Sequence, residues 1–354
     1  MNPTTSKTSH VADGRSGTFC VDCQSHIYIP EVLAFLEKRN SPPRAYRRNG
    51  ERYVQVGDWT LKLRPGHTSV QAKLAMMDRH GIDVTLLSTN FPGPELFGAD
   101  GPAIARMMND YVAEIARSHP QRFASLAVLP TQNLEESLKE LDRAVCELGM
   151  QGLLLFSNQN GRFNDEPEFR PLIRCVEQLG IPLVLHPAHP VCFEATRGYE
   201  MTGGLGWMFD STIALARMIM AGILEEHPAL RLVCPHLGGT LPYLIGRLDH
   251  QVAVRGRGGE AITRLPSEYL RTVYLDTASV LALTIRYAYD FVGPDRLLFA
   301  TDHPWVDPQL TRNAVQDLEL PEADESKILG GNAKRLFGID SQRSGGLLQG
   351  PCQE

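Results

Sequence analysis

Four stretches of the chain end alike: Phe19-Cys-Val-Asp-Cys-Gln-Ser-His26, Ile181-Pro-Leu-Val-Leu-His186, Leu230-Arg-Leu-Val-Cys-Pro-His236 and Arg296-Leu-Leu-Phe-Ala-Thr-Asp302. Each is an apolar run of strand-like length, closed by a residue that can bind a metal or carry a proton. Gln24 accompanies His26 in the first. Residues at strand ends are rigidly held. They converge on one point if the strands are parallel and curl into a barrel, whose C-terminal rim is where chemistry occurs.

Working outward, eight β-type runs begin near Phe19, Ile82, Phe123, Met150, Ile181, Leu230, Thr272 and Arg296. Several are apolar nearly throughout, as parallel strands covered on both faces are. Between them lie amphipathic segments. Val70, Leu74 and Met77 follow a spacing of three to four, as do Leu134, Leu138, Leu141, Val145 and Leu148. Gly81, Gly149 and Gly180 each stop a helical pattern just before a strand. The alternation predicts an α/β fold, a (β/α)8 TIM barrel forming one domain over 18–340.

Residues 30–68 break the rhythm with an insertion after the first strand. Arg52-Tyr-Val-Gln-Val and Trp59-Thr-Leu-Lys-Leu alternate around Gly57-Asp58, which predicts a hairpin. An insertion here falls on the catalytic rim, as a lid, a pocket wall or decoration. The polar segments 1–17 and 341–354 read as flexible extensions.

Composition narrows the function. The 354 residues are 43% hydrophobic and 21% charged, enough for a large core. The net charge of −6 supplies no general basic face for nucleic acid. No run approaches the roughly 18 apolar residues of a membrane span, and the N-terminus has no apolar signal-peptide segment. Seven cysteines include one close pair, Cys20 and Cys23, inside an apolar strand pattern. They read as buried thiols in a reducing, cytoplasmic setting rather than as a redox or zinc motif.

The site residues carry different weights. His26 and Gln24 lie two apart on one strand, so they face the same side. His26 and His186, pointing into a barrel mouth, are natural metal ligands. Gln24 offers only an amide oxygen, so direct contact with a metal stays open. Asp302 can bind metal, activate bound water or move a proton; a helix N-cap is its bland alternative. His236 precedes Leu-Gly-Gly, where the backbone can turn sharply, and is a ligand or a proton-transfer group. Arg247, Lys62 and Arg64 are candidate anchors for a carboxylate. Trp207 and Trp305 are candidate pocket walls. His189 reads as exposed, with a hydrogen bond to substrate as its alternative; His227 reads as exposed, and His303 as facing away from Asp302.

Taken together, Val21-Asp-Cys-Gln-Ser-His26, Met77-Asp-Arg-His-Gly-Ile82, Leu185-His-Pro187, Met218-Ile-Met-Ala-Gly222, Pro235-His-Leu-Gly-Gly239, Ala300-Thr-Asp-His-Pro304 and Gly331-Asn-Ala333 resemble the amidohydrolase superfamily. The resemblance is to its amidohydrolase-2 branch, runs from about Phe19 to Ile339, and is similar in pattern to the aminocarboxymuconate-semialdehyde decarboxylases. It implies a barrel with one divalent metal on His26, His186 and Asp302, and His236 as general acid/base. Zinc is the first expectation for the metal and manganese the second. Arg247 matches an arginine that reaches a neighbouring subunit's substrate, which implies a homodimer. The family's first strand reads His-x-His or Glu-x-His, whereas here it reads Gln24-Ser25-His26. The expected activity is metal-dependent, non-oxidative decarboxylation of a small unsaturated or aromatic carboxylic acid. The rivals are a metal-dependent hydrolase of a lactone, amide or other acyl bond, and a non-catalytic barrel that lost its metal.

Overall fold

A computed structural model describes residues 17–339; the segments 1–16 and 340–354, where the expected extensions fall, lie outside the described residues. The strands are β1 (Val21–Ile27), β2 (Val84–Thr89), β3 (Phe123–Ala127), β4 (Gly152–Phe156), β5 (Leu183–His186), β6 (Leu232–Cys234), β7 (Tyr274–Asp276) and β8 (Leu297–Leu298). They form one sheet in sequence order, each parallel to the next. The seam is closed by backbone bonds from Cys23 N–H to Phe299 O (2.9 Å), Asp302 N–H to Gln24 O (2.9 Å) and His26 N–H to His303 O (2.8 Å). This is the (β/α)8 barrel that the apolar runs predict. No helix among the described residues is long and apolar enough to cross a membrane.

Strand alternation divides the apolar residues into two cores. Val84, Leu86, Ala124, Leu126, Leu154, Val184, Val233 and Leu298 pack with one another inside the barrel. Their neighbours Phe123, Leu153, Leu155, Leu183, Leu185, Leu232 and Leu297 pack against the helices. Both faces are buried, so the strands read as continuous apolar runs. Cys20 and Cys23 are buried free thiols.

β1 departs from simple alternation. Its register against β2 slips between Asp22 and Ser25, so a bulge inserts an extra residue. Val21 and Cys23 pack in the inner core. After the bulge it is Gln24 and His26 that reach the residues converging at the barrel mouth. The Asp22 carboxylate supports this turn. It accepts bonds from Gln24 N–H (3.2 Å), Thr301 N–H (2.9 Å) and Thr301 Oγ1 (2.7 Å).

The helices end as expected: Gly81 and Gly180 adopt left-handed caps with φ of 60° and 62°. The insertion carries a helix, Pro30–Glu37, and an antiparallel sheet of Arg44–Arg48, Glu51–Val56 and Trp59–Lys62. The hairpin around Gly57 is present. The first of these three strands is an addition, joined to the second through Asn49-Gly50, both with positive φ.

Candidate functional site

Side chains from β1, β5 and the segments after β6 and β8 meet at the C-terminal end of the barrel. One nitrogen or oxygen from each of His26, His186 and Asp302 lies within 4.8 Å of the other two. His26 Nε2 is 3.2 Å from His186 Nε2 and 3.3 Å from Asp302 Oδ1. Donors about 2.1 Å from one metal ion in tetrahedral array stand about 3.4 Å apart, so this spacing fits one divalent ion.

The second ring nitrogens explain why these two Nε2 atoms can approach. His186 Nδ1 lies 2.9 Å from the Pro187 carbonyl. His26 Nδ1 lies 2.8 Å from Ser88 Oγ and 3.3 Å from the Thr89 carbonyl. A carbonyl only accepts, so Nδ1 carries a proton in both rings, and when the rings are neutral both Nε2 lone pairs face the centre. Two facing lone pairs and an adjacent carboxylate form a donor set that calls for a cation.

His236 stands on the other side of Asp302, its Nε2 3.4 Å from Oδ2. Its loop is sharply turned. His236, Leu237, Gly238 and Gly239 all have positive φ, 54° and 59° at the two non-glycine residues. A Cβ at Gly239 would lie 2.4 Å from Thr212 Oγ1 and 2.6 Å from Met208 O, so glycine is needed there. The His236 backbone N–H is held by Asp276 Oδ1 at 2.7 Å. Burial pushes the His236 imidazole down, but the hydrogen bond and charge of Asp302 outweigh it and leave it raised. His186 is held well below its ordinary value by burial and by its His26 and His236 neighbours. Burial alone would raise Asp302; the His236 and His26 imidazoles outweigh it and hold the carboxyl ionised, below the usual range.

Gln24 completes the group differently from a charged ligand. Its Nε2 is 3.0 Å from Asp302 Oδ1 and 3.2 Å from His236 Nε2, while its buried Oε1 has no partner among the described residues. Behind the site, Lys73 is fully buried and donates to Ser25 Oγ (2.9 Å). Its Nζ also lies 3.0 Å from His303 Nδ1. It thereby ties β1 to the segment carrying Asp302, and His303 does turn away from the site.

The chain's three tryptophans gather on this rim. Trp59–Trp207, Trp59–Trp305 and Trp207–Trp305 ring centroids are 5.6, 5.9 and 6.0 Å apart. Trp305 N–H bonds Asp302 O at 2.8 Å, which fixes the cluster beside the polar group. Trp59 comes from the insertion.

A family model described as amidohydrolase matches residues 21–339. The chain belongs to this family. Among amidohydrolase relatives, it is 31% identical over 308 residues to a gamma-resorcylate decarboxylase of Rhizobium sp. (strain MTP-10005), covering 80% of this chain and 92% of that one. It is 28% identical over 279 residues to the 2-amino-3-carboxymuconate-6-semialdehyde decarboxylase of Dictyostelium discoideum, covering 77% of each. A crystal structure of a dihydroxybenzoic acid decarboxylase from Polaromonas sp. JS666, with bound manganese and the inhibitor 2-nitroresorcinol, superposes with a TM-score of 0.75 at 26% identity. It covers 91% of this chain and 97% of that chain.

The structure places the remaining sequence candidates as follows. Lys62 pairs with Glu51 (2.5 Å) on the exposed insertion sheet rather than facing the polar group. Arg64 and Arg247 are exposed, the latter on the helix Leu241–Ala253. His227 is not a surface residue: it is buried, with Nδ1 2.8 Å from Glu177 Oε2. His189 is half-buried, with Nε2 lacking a partner among the described residues. Asp276 also closes an apolar strand and carries the same strand-end signal as His186, which makes it a further member of the polar group. Ser88, Thr89 and Lys73 had no such signal, because their relevance rests on a neighbour far away in the chain.

Proposed function

We propose that the protein is a metal-dependent, non-oxidative decarboxylase of a small aromatic carboxylic acid. The observation that carries this reading is the convergence of His26, His186 and Asp302 with His236 alongside, beneath the tryptophan cluster. The amidohydrolase decarboxylases that resemble the chain support it. His26, His186 and Asp302 hold the ion, with the Gln24 amide oxygen as a further donor once its side chain turns. Two imidazoles and a carboxylate suit zinc, and manganese, found in the Polaromonas neighbour, is the second choice. The bound ion would supply a positive charge that fixes and polarises a substrate oxygen.

The chain's own groups do the rest. His236 carries a proton to the ring carbon that bears the carboxylate, with Asp302 as its hydrogen-bond partner. The bond between that carbon and the carboxylate breaks, its electron pair returns to the ring, and CO2 leaves. Trp59, Trp207 and Trp305 offer flat apolar surface to an aromatic ring and limit water around the departing group. Arg247, exposed on its helix, reaches the substrate of a partner subunit in a homodimer. The 18–340 barrel works as one domain, with 30–68 as part of its rim, and the buried free thiols suit a cytoplasmic setting.

Purified protein incubated with aromatic acids and, separately, with lactones should release CO2 only from the acids, and a chelator should abolish that release. Acid release from a lactone without CO2 would replace this reading with the hydrolase. Full activity in metal-free protein would end it.

A further inference from the structure

A cleft of about 450 Å³ opens between the insertion and the loops that follow β2, β4 and β5. Glu95 and His189 line it, and Glu95 Oε2 and His189 Nε2 are buried atoms without partners among the described residues. Glu95 is only 6% exposed. Burial outweighs a hydrogen bond from its own backbone N–H and pushes its carboxyl up to about 8. It is therefore largely uncharged at neutral pH and does not repel an acid. Buried polar groups are ordinarily paired because leaving them unpaired is costly. Two such atoms lining one cleft are free to take a hydrogen-bonding partner from outside the chain.

The segment that brings Ala188 and His189 to the cleft begins at His186, the last residue of β5. Gly93 lets the Glu95 carboxyl fold against Phe156: a Cβ there would lie 2.3 Å from Glu95 Oε2 and 2.1 Å from Phe156 Cε2. The Phe156 ring also meets the His186 ring edge-on, centroids 5.9 Å apart. Glu95 and an imidazole of the ion-binding group thus both lie against the same aromatic side chain. At the far wall, Gly57 leaves space over His189; a Cβ there would come 3.5 Å from Nε2.

Resting on the decarboxylase reading, we propose that this cleft is a second polar subsite, in which Glu95 and His189 receive a hydroxyl or amino substituent on the part of the aromatic acid remote from the metal. Glu95 then selects which ring-substituted acids bind, without taking part in the proton transfer.

Calorimetry on manganese-loaded protein with benzoate, 3-hydroxybenzoate and 4-hydroxybenzoate tests this without turnover. At least one hydroxybenzoate should bind about tenfold more tightly than benzoate, the worth of one hydrogen bond to a group otherwise left unpaired. Glu95→Leu should erase that gain and leave benzoate affinity unchanged, whereas Glu95→Gln, which still donates and accepts, should keep it. Glu95→Ala gives the same loss as leucine without adding a branched side chain. No gain in the unaltered protein, or a gain that survives Glu95→Leu and Glu95→Ala, overturns the subsite and leaves the decarboxylase reading standing. If none of the three acids binds the unaltered protein, the decarboxylase reading falls and the subsite with it.

Discussion

Two histidine environments lie side by side on this rim, and they are built in opposite ways. His26 and His186 have both ring nitrogens committed: Nδ1 to Ser88, Thr89 or Pro187 oxygens, Nε2 to the shared centre. His236 has a buried Nδ1 without a partner among the described residues, and its backbone sits in the left-handed region. A ligand must hold one tautomer and one orientation. A proton carrier must change protonation during turnover, and a ring with one uncommitted nitrogen is less constrained. On the proposed reading, this difference is what divides three residues of the same type between two roles.

The largest expected effect falls on the less constrained histidine. His236→Asn should leave bound metal near the level of the unaltered protein while turnover falls by about 10²–10⁴, the scale of a lost general acid/base. Metal content by atomic absorption beside steady-state CO2 release reads both quantities. Loss of metal would move His236 into the ligand group and erase the contrast. Next, Ser88→Ala removes the hydroxyl that fixes His26 Nδ1. It should weaken metal affinity by about tenfold to a hundredfold, the usual cost of losing such a supporting bond. An unchanged affinity in competitive chelator titration would mean that Thr89 O alone orients the ring. The smallest effect is expected at Gln24, whose amide nitrogen faces Asp302. Gln24→His should tighten metal binding by about tenfold, because imidazole is the better donor. A weaker affinity would show that the amide's bond to Asp302 matters more than its oxygen.

Much of the barrel was legible because parallel strands buried on both faces leave long apolar runs. The runs beginning near Phe19, Ile82, Met150, Ile181, Leu230 and Thr272 each start just ahead of a strand. The insertion was half legible. The alternation around Gly57 gave its hairpin, but Arg44-Ala-Tyr-Arg-Arg48 has little apolar character, and only Asn49-Gly50 marked its turn. The burial of His227 and His189 is not legible in the sequence, because exposure of a single polar residue depends on what packs over it. Glu177 covers the first, and the Gly57 turn lies over the second.

The sequence by itself marked eight strands of a parallel barrel and placed His26, His186, His236 and Asp302 at or just beyond strand ends, because side-chain periodicity and run length are local properties. Only the tertiary structure decided the bulge that brings Gln24 and His26 to the group at the barrel mouth, the lone pairs that Ser88, Thr89 and Pro187 turn inward, and the meeting of Trp59 with Trp207 and Trp305. Except for Pro187, each of these depends on hydrogen bonds or packing between residues tens to hundreds of positions apart, and such contacts leave no period in the chain.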